Sequence, residues 1–233
     1  MDLCRWARDS IRSLWQWLFP PERETPECLR VWLEQVFPGI DLDRVHFHEG
    51  FPPAIKPANP EAIALPGIHD AGSIHVYFRP GLFDPCTCDG LTLIGHEMTH
   101  VRQYMDHANG YGAGFVRGFM LVYLLCIVRH GYDNHPMENE AEAFEQDVRD
   151  CCTDSPCDCT GADPVLDPGA MATWEANCGT VVLTESAVGF WEHLRECVPG
   201  FDTWWRWANR VWAYCGRFFR ERLGEAGRFR DPA

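Results

Sequence analysis

Residues 96–100 read His-Glu-Met-Thr-His, and no other feature constrains the fold as tightly. On an α-helix, side chains four apart lie on one face, so His96 and His100 can hold one metal ion together. Glu97 sits about 100° round the helix from His96. That places a carboxylate beside the metal, where it can take a proton from a water molecule. Two histidines do not complete a site. A catalytic zinc takes a third protein ligand and keeps one position open. The pattern therefore requires a helix over these residues and a second element packed against its ligand face.

The surrounding sequence supports such a helix. Its expected limits are Asp89, as N-cap, and about His107. Ile94, Met98, Val101 and Met105 form one apolar stripe, while Leu93, His96, His100, Gln103 and His107 fall on the other side. A second, strongly apolar helix is predicted over residues 115–128 as its core partner. After the break around Gly131, Pro136 suits the first turn of a third helix, which opens Met-Glu-Asn-Glu-Ala-Glu. Its acids Glu138, Glu140 and Glu142 are the candidates for the third ligand. Glu138 and Glu142 share a face, and Glu140 points about 200° away. The pair can serve one site, with Glu138 as ligand and Glu142 as an acceptor holding a ligand histidine in place.

The chain has 233 residues and a formal net charge of -14, which disfavours a nucleic-acid surface. Residues 133–167 hold eleven acidic side chains and one Arg, read as a solvated acidic surface. Arg5, Arg8 and Arg12 interrupt any apolar signal core near the start, and the longest apolar run, residues 119–128, is too short to span a bilayer. The expectation is a protein without a transmembrane segment, cytoplasmic by default, with non-classical export as the other route. Twelve cysteines include Cys86-x-Cys88, Cys151-Cys152 and Cys157-x-Cys159. Disulfides, reduced thiols and a second metal site are all open for them, although none of these spacings is a C-x-x-C zinc knuckle. If they are disulfides, they staple the loop after residue 151 to the end of the Glu138 helix, with Cys86 and Cys88 as candidate partners.

Elsewhere the pattern alternates between helices and short strands. An amphipathic, Trp-containing helix is expected over residues 3–19 and a second over 27–37, ended by Pro38-Gly39. Residues 44–48 and 73–78 read as strands, and their histidines as solvent-facing or hydrogen-bonded rather than metal-binding. The tail is expected to be helical over 184–197 and 204–223. The second of these carries the columns Trp204, Val211, Phe218 and Trp205, Trp212, Phe219, which pack on the core or offer an interaction surface.

Residues 40–45, 76–81, 90–91 and 95–104, followed by Gly131-Tyr132, Asn134, Pro136, Glu138 and Ala141, resemble a bacterial family of domains assigned as metallopeptidases. These domains often accompany extracellular contractile injection systems and toxin-like proteins. The constellation is also similar to the gluzincin group of zinc peptidases, in which a Glu on a later helix is the third ligand. The resemblance implies that His96, His100 and Glu138 bind Zn²⁺, that Glu142 supports a ligand histidine, and that Glu97 is the general base. His135 stands where related sequences often have Asn before Pro, and Glu142 replaces the usual Asp.

The expected fold class is α+β: a mainly helical, zincin-like core with a small β-sheet before the His-Glu-Met-Thr-His helix, plus Trp-rich terminal helices. The expected organisation is N-terminal amphipathic helices (1–38), the core (39–150), a Cys-rich loop (151–170) and C-terminal helices packed on the core (171–233). The expected function is zinc-dependent hydrolysis of a peptide or protein substrate, with the strand at 74–78 pairing with an extended peptide. Tyr132, His130 or His135 would stabilise the oxyanion, Tyr132 standing first. The rival reading is a non-enzymatic, zinc-stabilised structural or delivery module, which a nearby cysteine acting as fourth ligand, Cys86 or Cys88, would favour.

Overall fold

The structure is a computed structural model that describes residues 20–53, 60–67, 72–108, 123, 135–161, 163–185 and 200. Within them the protein is mixed α+β, with four α-helices, a four-stranded sheet and a two-stranded ribbon. The helices expected over 3–19 and 204–223 lie outside the described residues, as do all of 115–128 but Tyr123, which is helical, and all but the start of 184–197. Thr184 and Glu185, where that helix was expected to begin, form a bend.

The chain opens with β1 (Glu22–Arg23) and α1 (Glu27–Val36). Helix α1 buries Cys28, Leu29, Trp32, Leu33 and Val36, two adjacent columns at helical spacing. It stops where Phe37 N–H returns to Leu33 O and Gly39 takes a positive φ of 82°. A 3-10 turn leads into β2 (Val45–Glu49), followed by β3 (Ala62–Pro66) and β4 (Ile74–Phe78). The sheet order is β1-β2-β4-β3. Strands β2 and β4 run parallel, with β1 antiparallel to β2 and β3 antiparallel to β4. One face, carrying Val45, Phe47, Ala64, Ile74, Val76 and Phe78, is buried in the core. The other carries His46, His48, His75 and Tyr77. There the rings stack, and His48 Nε2 lies 2.9 Å from His75 Nδ1. These histidines are hydrogen-bonded, one of the two states expected for them.

Helix α2 (Cys88–Ala108) begins two residues earlier than predicted. Thr87, not Asp89, is the cap: its hydroxyl accepts from Gly90 N–H at 3.1 Å, and Asp84 in turn accepts from that hydroxyl and from Cys86 N–H. Gly90 is required here, because a Cβ would lie 1.7 Å from Asp84 O. Helix α3 (Pro136–Cys151) starts at the expected proline, with His135 as N-cap accepting from Met137 N–H. The ribbon β5 (Cys157–Asp158) and β6 (Val165–Leu166) follows, then α4 (Pro168–Cys178). Helix α4 was not anticipated, although Asp167 caps it by accepting from Gly169 and Ala170 N–H. Its Trp174 meets Trp32 of α1 edge-on at 5.4 Å, so α1, the sheet, α2, α3 and α4 share one core.

Four disulfides tie this core together: Cys28–Cys157, Cys86–Cys159, Cys88–Cys152 and Cys151–Cys178. They resolve the open reading of these eight cysteines in favour of disulfides. Cys86 and Cys88 pair with the Cys-rich segment, as the disulfide alternative proposed. Among the described residues no helix is long and apolar enough to cross a membrane.

Candidate metal centre

The site lies where α2 packs on α3 beneath the edge of the sheet. Gly95, directly before the first histidine, sets this approach: a Cβ there would come within 3.0 Å of the Phe144 ring on α3. Helix α3 turns Met137, Glu138, Ala141, Phe144 and Val148 toward the core. Glu138 is thereby carried inward and left 1% exposed. A carboxylate so buried needs partners. Glu138 finds three. Its oxygens lie 3.4 Å from His100 Nε2 and 3.7 Å from His96 Nε2, and Oε1 accepts from the Tyr123 hydroxyl. Burial alone would raise its pKa; the imidazoles of His100 and His96 beside it outweigh that and hold it well below the ordinary carboxylate range. Burial likewise lowers the His96 pKa, but the carboxylates of Glu138 and Glu145 reverse the effect and raise it to about 10. His100 is raised too: burial opposes it, and Glu138 overcomes that.

His96, His100 and Glu138 offer one ligand atom each, all within 4.8 Å of one another, and form a group able to hold a metal ion. The fit extends to the unsatisfied atoms. Glu138 Oε2 and Glu97 Oε2 are buried without a hydrogen-bond partner among the described residues. Both imidazoles also use Nδ1 for hydrogen bonds to protein oxygens, which turns both Nε2 atoms toward Glu138. Two imidazole nitrogens and one carboxylate oxygen, with no sulfur, suit a borderline divalent cation.

Glu97 is buried beside this group. The Ala64 backbone N–H donates to its carboxylate, while burial raises its pKa against the pull of His100 and His96. Ala64 belongs to β3, whose outer edge is open to the cavity. Glu61 O and Gly67 N pair with β4, so the odd-numbered backbone groups face β4 and those of Ala62 and Ala64 face away from it. The cavity measures about 120 Å³ and is lined by Ala62 and Ala64, by His96, Glu97, His100 and Glu138, and by Tyr104 and Tyr123.

The structure thus brings His96, Glu97, His100 and Glu138 together. It does not bring Glu142. That side chain is exposed, and the carboxylate on His96 Nδ1, at 3.0 Å, belongs to Glu145, which Arg149 holds from the next turn. A residue seven places on lies about 20° from Glu138 around the helix, nearer than one four places on at about 40°. Tyr132 and His130 lie outside the described residues. His135 is not at the site: both ring nitrogens are engaged, Nδ1 with Met137 N–H and Nε2 with Tyr123 O. Tyr123 and Tyr104, unmarked in the sequence, are the tyrosines at the cavity. Strand β4 is paired on both edges, by β2 and β3, and has no free edge for a peptide; that edge belongs to β3.

Residues 25–108 match the family model of the eCIS core domain. This links the chain to proteins associated with extracellular contractile injection systems. The eCIS core match runs from α1 through the sheet to the end of α2. It includes both histidines and Glu97 and ends before Glu138. No curated protein and no solved structure matches the chain.

Proposed function

We propose that the chain is a zinc-dependent peptidase with a zincin-like, gluzincin-type core, working in an injection-type system. The observation that carries this reading is the buried, partnerless oxygen of Glu97 beside the His96–His100–Glu138 group, in a cavity bordered by an open strand edge. A purely structural site has no use for that carboxylate. Nor, among the described residues, is a sulfur at hand to close it, since Cys86 and Cys88 are both in disulfides.

His96, His100 and Glu138 would hold the zinc, which supplies Lewis acidity toward a substrate carbonyl and the attacking water. Glu97 takes a proton from that water as its oxygen forms the new bond to the carbonyl carbon. It returns the proton to the amine as the C–N bond breaks. The Ala62 backbone groups and the Ala64 carbonyl on the edge of β3 would receive the extended substrate backbone. Of the two cavity tyrosines, Tyr104, kept neutral because burial raises its pKa, would stabilise the oxyanion, while Tyr123 gives its proton to Glu138. The four disulfides favour an oxidising working environment, and with it the export route over residence in the cytoplasm.

The test pairs metal analysis with a peptidase assay. Purified protein should carry one zinc per chain. Glu97→Gln should keep that zinc while losing hydrolysis by at least 10²-fold. A protein without zinc, or a Glu97→Gln variant as active as wild type, ends the peptidase reading. A zinc-loaded wild type that cleaves nothing leaves the structural or delivery module.

A further inference from the structure

The two ligand histidines are backed in different ways. His96 Nδ1 meets a carboxylate, Glu145, at 3.0 Å. His100 Nδ1 meets an amide oxygen, Gln103 Oε1, at 2.9 Å. Gln103 is 1% exposed and lies one turn along α2 from His100. Its amide nitrogen reaches across to α3, donating to Met137 O at 3.1 Å and to Glu140 Oε2 at 2.7 Å. Both of those atoms are pure acceptors, so the NH₂ end of the amide must face α3 and the oxygen must face the imidazole. An amide oxygen cannot donate. The proton between Gln103 and His100 therefore sits on His100 Nδ1, which leaves Nε2, facing Glu138, as the nitrogen a metal ion can take. Glu140, which helical geometry placed well away from Glu138, reaches the site through this relay.

We propose that Gln103 is a positioning residue: clamped by Glu140 and the Met137 carbonyl of α3, it fixes His100 in the Nδ1–H tautomer and the orientation that binds a metal ion through Nε2. The helix that carries the ligand Glu138 thus also sets the tautomer of a ligand on its neighbour. The proposal rests on the metal-site reading but not on peptidase activity. It explains the residue type. Glutamate at 103 has the same shape but no donor, and would put a carboxylate oxygen against Glu140 and Met137 O. At Glu140, glutamine can still offer an amide oxygen to Gln103, whereas leucine cannot.

The experiment measures zinc affinity by competition with a chromophoric chelator for wild type, Gln103→Leu, Gln103→Glu, Glu140→Gln and Glu140→Leu, with circular dichroism as the check on folding. It is joined to long-range ¹H–¹⁵N correlation spectra of the zinc-loaded wild type, which assign the protonated nitrogen of His100. Expected are Nδ1 protonation with zinc at Nε2, and a loss of about 10–100-fold in affinity for both Gln103 variants. Glu140→Leu should lose less, because Met137 O remains, and Glu140→Gln should match wild type. Gln103→Glu, equal in shape, keeps the test open if Gln103→Leu fails to fold. Wild-type affinity in folded Gln103→Leu or Gln103→Glu, or zinc at Nδ1 of His100, overturns this proposal alone. A wild type that takes up no zinc overturns it together with the metal-site reading.

Discussion

Glu138 and the two histidines around it form a charged cluster that folding has taken out of water, and most of what the site does follows from that cost. In the metal-free protein His96 is held cationic to about pH 10. Its folded pKa lies above the ordinary value of 6.5, so the stability it contributes is fully present below pH 6.5 and is lost as pH rises through about 10. With chelator present, the melting temperature should fall between pH 7 and 10 by an amount on the order of 5–10 °C. In His96→Asn that slope should flatten. Thermal scans across this range check it, and equal slopes in both proteins would refute it. The support role gives a second prediction. Glu145→Ala should weaken zinc binding by about 10–100-fold, and Glu142→Ala should leave it unchanged, as measured by chelator competition. The sequence led to His96, Glu97, His100 and Glu138 because their spacing carries the chemistry. It missed Glu145, and it put Gln103 on the ligand side of α2 without its role; both roles depend on which turn of α3 faces which turn of α2. Helical periodicity alone cannot fix that register between two helices.

At the scale of elements, the α2–α3 contact and the β3 edge decide whether those residues meet. Gly95 is the contact's closest point, where a methyl group would press on the Phe144 ring at 3.0 Å. Phe144 also packs on Phe37 at 5.0 Å between centroids, so it has little room to yield. Gly95→Ala should therefore cost about 1–3 kcal/mol. Because the strain falls between His96 and the helix carrying Glu138, zinc affinity should fall with it. Urea denaturation and zinc competition on the same variant check both halves. An unchanged stability would show that α3 is not seated on Gly95. Helices α1, α2 and α3 were legible because apolar stripes and proline or glycine stops mark them. Strands β2 and β4 were legible as short β-branched and aromatic runs. Strand β3, Ala-Ile-Ala-Leu-Pro, was not: its alanines have little strand preference, yet their small size lets the edge lie close over Glu97. Helix α4 was hidden by the cysteines before it, which drew the segment toward a loop reading, although Asp167 and Pro168 are an ordinary helix start.

For the molecule as a whole, the cysteines that left the sequence reading open become the frame of the site. Cys88 opens α2 and Cys152 follows α3, so their disulfide ties one end of the two helices that carry the metal ligands. Cys86–Cys159 braces the turn just before α2, and Cys28–Cys157 fastens the same Cys-rich segment to α1. A link across 64 residues, as in Cys88–Cys152, removes about 4 kcal/mol of chain entropy from the unfolded state. The four loops overlap, so their effects do not add. Reduction should therefore act on folding and metal together. Treatment with a phosphine reductant should lower the melting temperature by roughly 10 °C or more and weaken zinc binding in parallel. Cys88→Ser/Cys152→Ser should reproduce part of both effects without reductant. Alkylating the denatured, unreduced protein supplies the decisive mass. Eight cysteines are paired among the described residues and twelve are present in the chain, so at most four alkyl groups should be taken up before reduction and twelve after it. More than four before reduction would mean that at least one of these bridges does not form, and the dependence of the metal centre on them would have to be abandoned for that bridge.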